Sequence, residues 1–335
     1  MTVVDVTAAY SHIMGCERSV AEAISSAIDR LRNKQPSLAH AVQQLMDSDT
    51  TTPNIFRLLP LPILRSLGMD CRHGIPLVAA SRIWWTGAEA FDDLADGQYD
   101  AESTGISAGQ AAVASAACLG IIPLTVLDET RTANAIGSRW VQEFVETSLQ
   151  AAEGQLNDVT PASGPISWEN VMQTYAGKNG AAYARDAAMA AYVAGADRSV
   201  ADGWRTFGRL FGVLRQLVND RSAVSAQSDE DLANGTGTLL LAVAFEEARR
   251  NSDVAELTSL RIAALTDSEA RIALANRFRS APVVANYNFR IGVLHQILRN
   301  LLETLMPSCR ERDLMRWMLD ISKETAKLQD EDYVR

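Results

Sequence analysis

The chain has 335 residues, 47% of them hydrophobic and 21% charged, with a formal net charge of −10. That length can bury a sizeable core, and the acidic balance, with no basic stripe, excludes a binder that works by neutralising nucleic-acid phosphates. Cys16, Cys71, Cys118 and Cys309, like His12, His40, His73 and His295, are scattered without CxxC or paired-histidine spacing, which excludes a zinc site and reads as reduced thiols of a cytoplasmic protein.

Apolar residues recur every three or four positions almost throughout, and no stretch alternates with period two. The expectation is one all-α domain over residues 1–335, built from about ten or more helices without a dividing linker. Breaks are expected near 49–53, 60–62, 97–109, 160–167, 196–199, 225–237 and 307–309, where Gly, Pro and polar residues cluster. No basic-then-apolar leader opens the chain, and its apolar runs break short of a membrane span.

The first segment with chemical content is WWTGAEAFDDLADG, residues 84–97. On a helix, Trp85, Ala88, Glu89, Asp92 and Asp96 share one face. Asp92 and Asp96, one turn apart and followed by the chain-breaking Gly97, repel each other and oppose the helix dipole unless a cation sits between them. Hard oxygens without His or Cys suit Mg²⁺. Further along, Val141, Phe144, Val145 and Leu149 form one apolar stripe, and Trp204, Phe207, Leu210, Phe211, Leu214 and Leu217 another. The second stripe carries a polar flank, Gln216 and Asn219, with Gly208 and Gly212 on the same side, where small residues let another group approach the backbone.

In order and separation these segments resemble the trans-isoprenyl diphosphate synthases. DDLAD (92–96) resembles that family's first aspartate-rich motif, DDxxD, and QLVND (216–220) resembles the second, QxxDD. EGQLND (153–158) resembles its GQxxD segment, and KNG (178–180) its KTG, whose lysine grips a diphosphate. The resemblance is strongest over 55–245. It implies the isoprenoid synthase fold, an all-α bundle with a central cavity, and a homodimer. It also implies Mg²⁺ held by Asp92, Asp93, Asp96, Asn219 and Asp220, with Asp92, Asp96 and Lys178 carrying catalysis on an allylic prenyl diphosphate.

The departures concern cations. Where the family binds isopentenyl diphosphate through a GKRxRP segment, this chain has IFRLLP (55–60), so Phe56 and Leu59 stand for the binding lysine and arginine and only Arg57 is kept. The family's histidine seven residues before DDxxD is Trp85, its following arginine pair is Ala101 and Glu102, and its later lysine is Thr236. Asn219 and Ala223 replace two acids of the second motif, and Ala223 with Gln227 breaks the NSE pattern of other terpene synthases. Arg82, Arg215 and Arg221 are the cations available as replacements. A diphosphate cannot be desolvated without cationic partners, which predicts that the isopentenyl pocket is lost. The expected function is then a terpene synthase, a lyase that ionises a C15–C25 allylic diphosphate and cyclises or deprotonates the cation. The alternative is a prenyltransferase serving an aromatic, indole-like acceptor. Aromatic faces stabilise such a cation, so Phe56, Trp85, Tyr175, Phe207 and Phe211 are expected to line the pocket, with Gln216 beside them. Ala88 and Gly87, small where the family places its chain-length floor, favour C20 or longer. Glu89 is expected to pair with an arginine of a neighbouring helix.

Overall fold

The computed structural model describes residues 3–48, 54–128, 134–160, 164–222 and 230–328. Ala223 and Gln227 lie outside these. Eighteen α-helices and no strand occur among the described residues. They are α1 (Val3–Met14), α2 (Glu17–Lys34), α3 (Pro36–Ser48), α4 (Pro60–Ser66), α5 (Ile75–Ala95), α6 (Ala101–Thr104), α7 (Ala108–Leu119), α8 (Ile121–Asp128) and α9 (Asn134–Val159). After these come α10 (Trp168–Lys178), α11 (Gly180–Val193), α12 (Arg198–Ser222), α13 (Glu230–Asn234), α14 (Leu239–Asn251), α15 (Val254–Ala264), α16 (Ser268–Phe278), α17 (Ala281–Leu305) and α18 (Arg310–Ala326). The all-α expectation holds. By their contacts the residues group into two compact units, Met1–Leu149 with Ala182–Gly208 and Glu303–Met315, and Gln150–Ala181 with Arg209–Leu302 and Arg316–Arg335.

The first unit is built around α5. Pro76 in its first turn needs no intrahelical donor there, and the helix then buries Leu77, Val78, Ala79, Ala80, Ile83, Trp84 and Trp85 almost all round. Against it pack α2, α3, α7 and α8. Ser107 and Gln110 form a reciprocal capping box that fixes the start of α7, whose Ala111, Ala114 and Ala117 let it come close to α5. Contact is tightest at Gly87, where a Cβ would stand 2.6 Å from that of Cys118 and 3.0 Å from the Ser115 carbonyl oxygen. Ser115 Oγ donates to the Gly87 carbonyl at 2.6 Å. Gly87 is therefore small because a neighbouring helix needs the space, which removes its use as an indicator of substrate length.

Behind α5, Arg185 and Asp186 of α11 form an ion pair at 2.9 Å with 1% and 3% side-chain exposure. Ser81 Oγ donates to Asp186 at 2.5 Å, and the guanidinium lies over the rings of Trp84 and Phe144 at 4.8 and 4.7 Å. Buried charges persist only with such pairing. The stretch Ala108–Asp128 has the length and apolarity of a membrane span, more than the sequence suggested, but half of it is buried inside the unit and it is divided between α7 and α8.

In the second unit α14 buries Leu239 through Phe245 without a break, started by Thr238, whose side chain accepts from the Leu241 N–H. Tyr287 of α17 is fully buried and donates to the Leu217 carbonyl at 3.3 Å. Arg261 of α15 reaches the carbonyls of Gly164 at 3.1 Å and Gly235 at 2.9 Å, joining two loops.

Candidate functional site

The acidic segment of the first unit ends α5. Asp92 is half-buried, Asp93 and Asp96 are exposed, and Asp96 is the C-cap residue, its N–H donating to the Asp92 carbonyl at 2.9 Å. The N–H groups of Gln98 and Tyr99 close the turn onto the Asp93 carbonyl at 2.8 and 3.0 Å. Among the described residues no three His, Cys, Asp or Glu side chains form a group able to hold a metal unaided. The donor set fits a hard cation that takes two carboxylates from the chain and completes its shell from water and substrate oxygens, which is how Mg²⁺ is usually held. Downstream, Asp100 caps α6 by accepting from the N–H groups of Glu102 and Ser103 at 2.9 and 3.1 Å. Ala101 and Glu102, the positions of the missing arginine pair, are exposed residues of this short helix, with the acid favourably placed in its first turn.

Beside α5 in the same unit, the 3₁₀ turn Ile55–Leu58 is capped by Asn54, which accepts from the Phe56 N–H at 3.0 Å. It projects Arg57 over the Trp85 ring, 3.6 Å from the centroid, and onto Glu89, with which it forms an ion pair. The expected Glu89–arginine pair is thus present. Arg57 Nη1 is buried and has no hydrogen-bond partner among the described residues. Trp85 is 7% exposed and also meets Tyr183 at 5.4 Å, so the indole serves as packing for a cation instead of walling an open pocket. Leu59 is core at 1% exposure, while Phe56 and Ala88 are half-buried.

The second unit gathers the other segments. Gly154 of α9 and Gly177 of α10 meet so closely that a Cβ on Gly154 would lie 2.2 Å from the Lys178 backbone nitrogen. This crossing brings Lys178 Nζ to Asp158 at 2.6 Å, both side chains largely buried. Gly212 likewise admits Asn179 and Gly180, and the Asn179 amide donates to Gln216 Oε1. Small residues on this face do permit the close approach that the sequence implied.

Asn219 is exposed, whereas Asp220 is 3% exposed and accepts from the Tyr175 hydroxyl at 2.5 Å. Burial, and then the Asp220 charge, hold the Tyr175 phenol far above its usual pKa. Tyr175 and Phe211 are interior residues of this unit, and Phe207 of the first unit packs edge-on against Trp204. None of these three rings is surface available to a substrate as the sequence suggested. The candidate replacement cations have partners too: Arg82 with Glu17, Arg215 with Ser322 and Arg221 with the Thr325 carbonyl. Sequence reasoning gave no chemistry to Asp158 or Arg57; the signal available was the retained cation and the acid of the GQxxD-like segment.

Comparison with known proteins places this geometry. The Polyprenyl synthetase family matches residues 95–271, more than half of the chain. No curated protein matches it. Among solved structures, a geranylgeranyl pyrophosphate synthase superposes with a TM-score of 0.78 at 16% identity, covering 94% of this chain and 98% of the other. A geranylgeranyl pyrophosphate synthase from Corynebacterium glutamicum, complexed with calcium and isoprenyl diphosphate, gives 0.77 at 19% identity, covering 95% and 98%. A decaprenyl diphosphate synthase from Rhodobacter capsulatus gives 0.77 at 14% identity, covering 95% and 99%.

These findings overturn the expected terpene synthase and its aromatic-acceptor alternative, because the family and its neighbours are synthases of prenyl diphosphates. Absence of the usual cations did not decide the reaction, and Arg57 is retained in the IFRLLP segment. Polyprenyl synthetases work with divalent metal ions. With its isoprenoid synthase fold, this chain belongs to the polyprenyl synthetase family and is a prenyltransferase.

Proposed function

We propose that the protein transfers an allylic prenyl group from its diphosphate to isopentenyl diphosphate, releasing inorganic diphosphate and a proton, with Mg²⁺ as the divalent ion. The observation that carries this reading is the match of residues 95–271 to the Polyprenyl synthetase family. Arg57, the retained cation of the IFRLLP segment, supports it, since its Nη1 has no hydrogen-bond partner among the described residues. A diphosphate oxygen is the acceptor it lacks. Glu89 and the Trp85 face hold the guanidinium in place, and Glu89 also cancels part of its charge, so acceptor binding is weak.

Asp92 and Asp96 would hold Mg²⁺, with Asp93 beside them, and the ion would stabilise the diphosphate as it leaves. Lys178 would exchange its bond to Asp158 for a diphosphate oxygen, and Asn179 and Gln216 keep that lysine's helix end in register. Phe56 and Ala88 offer half-buried apolar surface to the chain. A homodimer fits the exposed apolar row Val141, Val145 and Leu149 on α9, and Val145→Glu should then shift the mass seen by light scattering.

The test is direct. Purified protein with Mg²⁺, farnesyl diphosphate and radiolabelled isopentenyl diphosphate should give labelled, longer prenyl diphosphates. Arg57→Gln should raise the KM for isopentenyl diphosphate at least about tenfold, as expected for a lost charge-assisted bond. Consumption of the allylic substrate with no label incorporated would defeat the reading.

A further inference from the structure

Three helices of the second unit converge on one oxygen atom. The Tyr175 hydroxyl of α10 donates to Asp220 of α12 at 2.5 Å and accepts from the N–H of Leu239, the first residue of α14, at 3.2 Å. That N–H belongs to a first helical turn and has no acceptor within its own helix. Tyr175 is 2% exposed and Asp220 3%, and unmade bonds at such depth are costly. Lys178 stands one turn beyond Tyr175 on α10, and Gln216 one turn before Asp220 on α12. The Asn179–Gln216 bond therefore forms a second tie, parallel to the first, between the end of α10 and α12. Tyr287 adds a third contact to the same stretch of α12 through the Leu217 carbonyl.

The geometry points to Tyr175 as a positioning residue: its hydroxyl locks Asp220 inside the second unit and fixes the end of α10 that carries Lys178. Asp220, the acid a motif comparison assigns to the metal, then acts through the tyrosine and not on the ion. Asn219, exposed beside it, could offer a cation only a neutral amide oxygen. This inference rests on the proposed function for its substrate and deepens it by separating the two residues' roles.

The experiment compares the parent with Asp220→Asn, Tyr175→Phe and the double variant. It follows the rise in Tm caused by Mg²⁺ with inorganic diphosphate, and the kinetics of prenyl transfer. Asparagine at 220 still accepts from the tyrosine, so Asp220→Asn should keep the half-saturating Mg²⁺ within threefold; a larger increase makes Asp220 a metal ligand and overturns the inference. Tyr175→Phe should raise the KM for the allylic diphosphate at least fivefold with kcat within twofold, because Lys178 is displaced; an unchanged KM overturns it. The double variant should melt no lower than Tyr175→Phe alone, since one bond cannot be lost twice; additive losses overturn it. A parent protein that neither gains Tm with Mg²⁺ and diphosphate nor transfers a prenyl group refutes the functional reading, while the melting comparison still decides the Tyr175–Asp220 lock.

Discussion

Substitution of Gly154 by alanine tests how the second unit places Lys178. The new Cβ would meet the Lys178 backbone nitrogen at 2.2 Å, the Gly177 carbonyl carbon at 2.5 Å and the Gly177 Cα at 2.8 Å. All three are main-chain atoms of a packed helix, so no rotamer change relieves the clash and α9 must part from α10. Overpacking of this kind costs roughly 1–3 kcal/mol, and backbone contacts belong at the upper end. Alanine recovers about 1 kcal/mol of helix propensity, which leaves a net loss near 2 kcal/mol. For a protein of this size that lowers Tm by about 3 °C. Gly292, inside α17, has nothing within 4 Å of its would-be Cβ. The same substitution there should stabilise by roughly 0.5–1 kcal/mol. Circular dichroism melts of the two variants should thus move in opposite directions, with the KM for the allylic diphosphate rising only for Gly154→Ala. A Gly154→Ala protein that melts at or above the parent would refute the close crossing.

Removing Asp186 leaves the Arg185 charge buried without its counter-ion, so Asp186→Ala should cost about 3–5 kcal/mol, whereas Arg185→Met with Asp186→Leu should recover most of that; denaturant titration of both variants checks it, and equal stabilities would contradict it. Burial depresses the His295 pKa despite the Asp320 contact at 2.7 Å. The folded protein therefore binds fewer protons than the unfolded chain as pH falls through the imidazole's usual value of about 6.5. Stability present above that pH should decline below it, and His295→Gln should show a smaller drop in Tm between pH 7.5 and pH 5.5.

Helix class was legible because period-3.6 patterning follows directly from one-sided burial, and α2 and α12 show it. Helix ends and close approaches were legible as well: Asp92 and Asp96 do close α5, and Gly212 of α12 does admit the KNG segment. What sequence could not reveal is which object fills a space. Gly87 reads as room for substrate and is occupied by α7; Leu59 reads as a lost binding residue and is core. Tyr175 reads as a pocket ring, yet its value lies in its hydroxyl, whose partners are 45 and 64 positions away in sequence. Contacts at that separation follow from tertiary packing, which local spacing does not encode.

The position of Asp92 and Asp96 has an energetic corollary. Peptide carbonyls at the end of a helix already present partial negative charge to the solvent, so these carboxylates crowd a pole that was unfavourable to begin with. A divalent ion arriving there relieves two repulsions together, and the last turn of α5 should become quieter in amide hydrogen exchange on loading. Occupancy and helix order at this terminus are then two readings of a single equilibrium, and ionic strength should tune both at once.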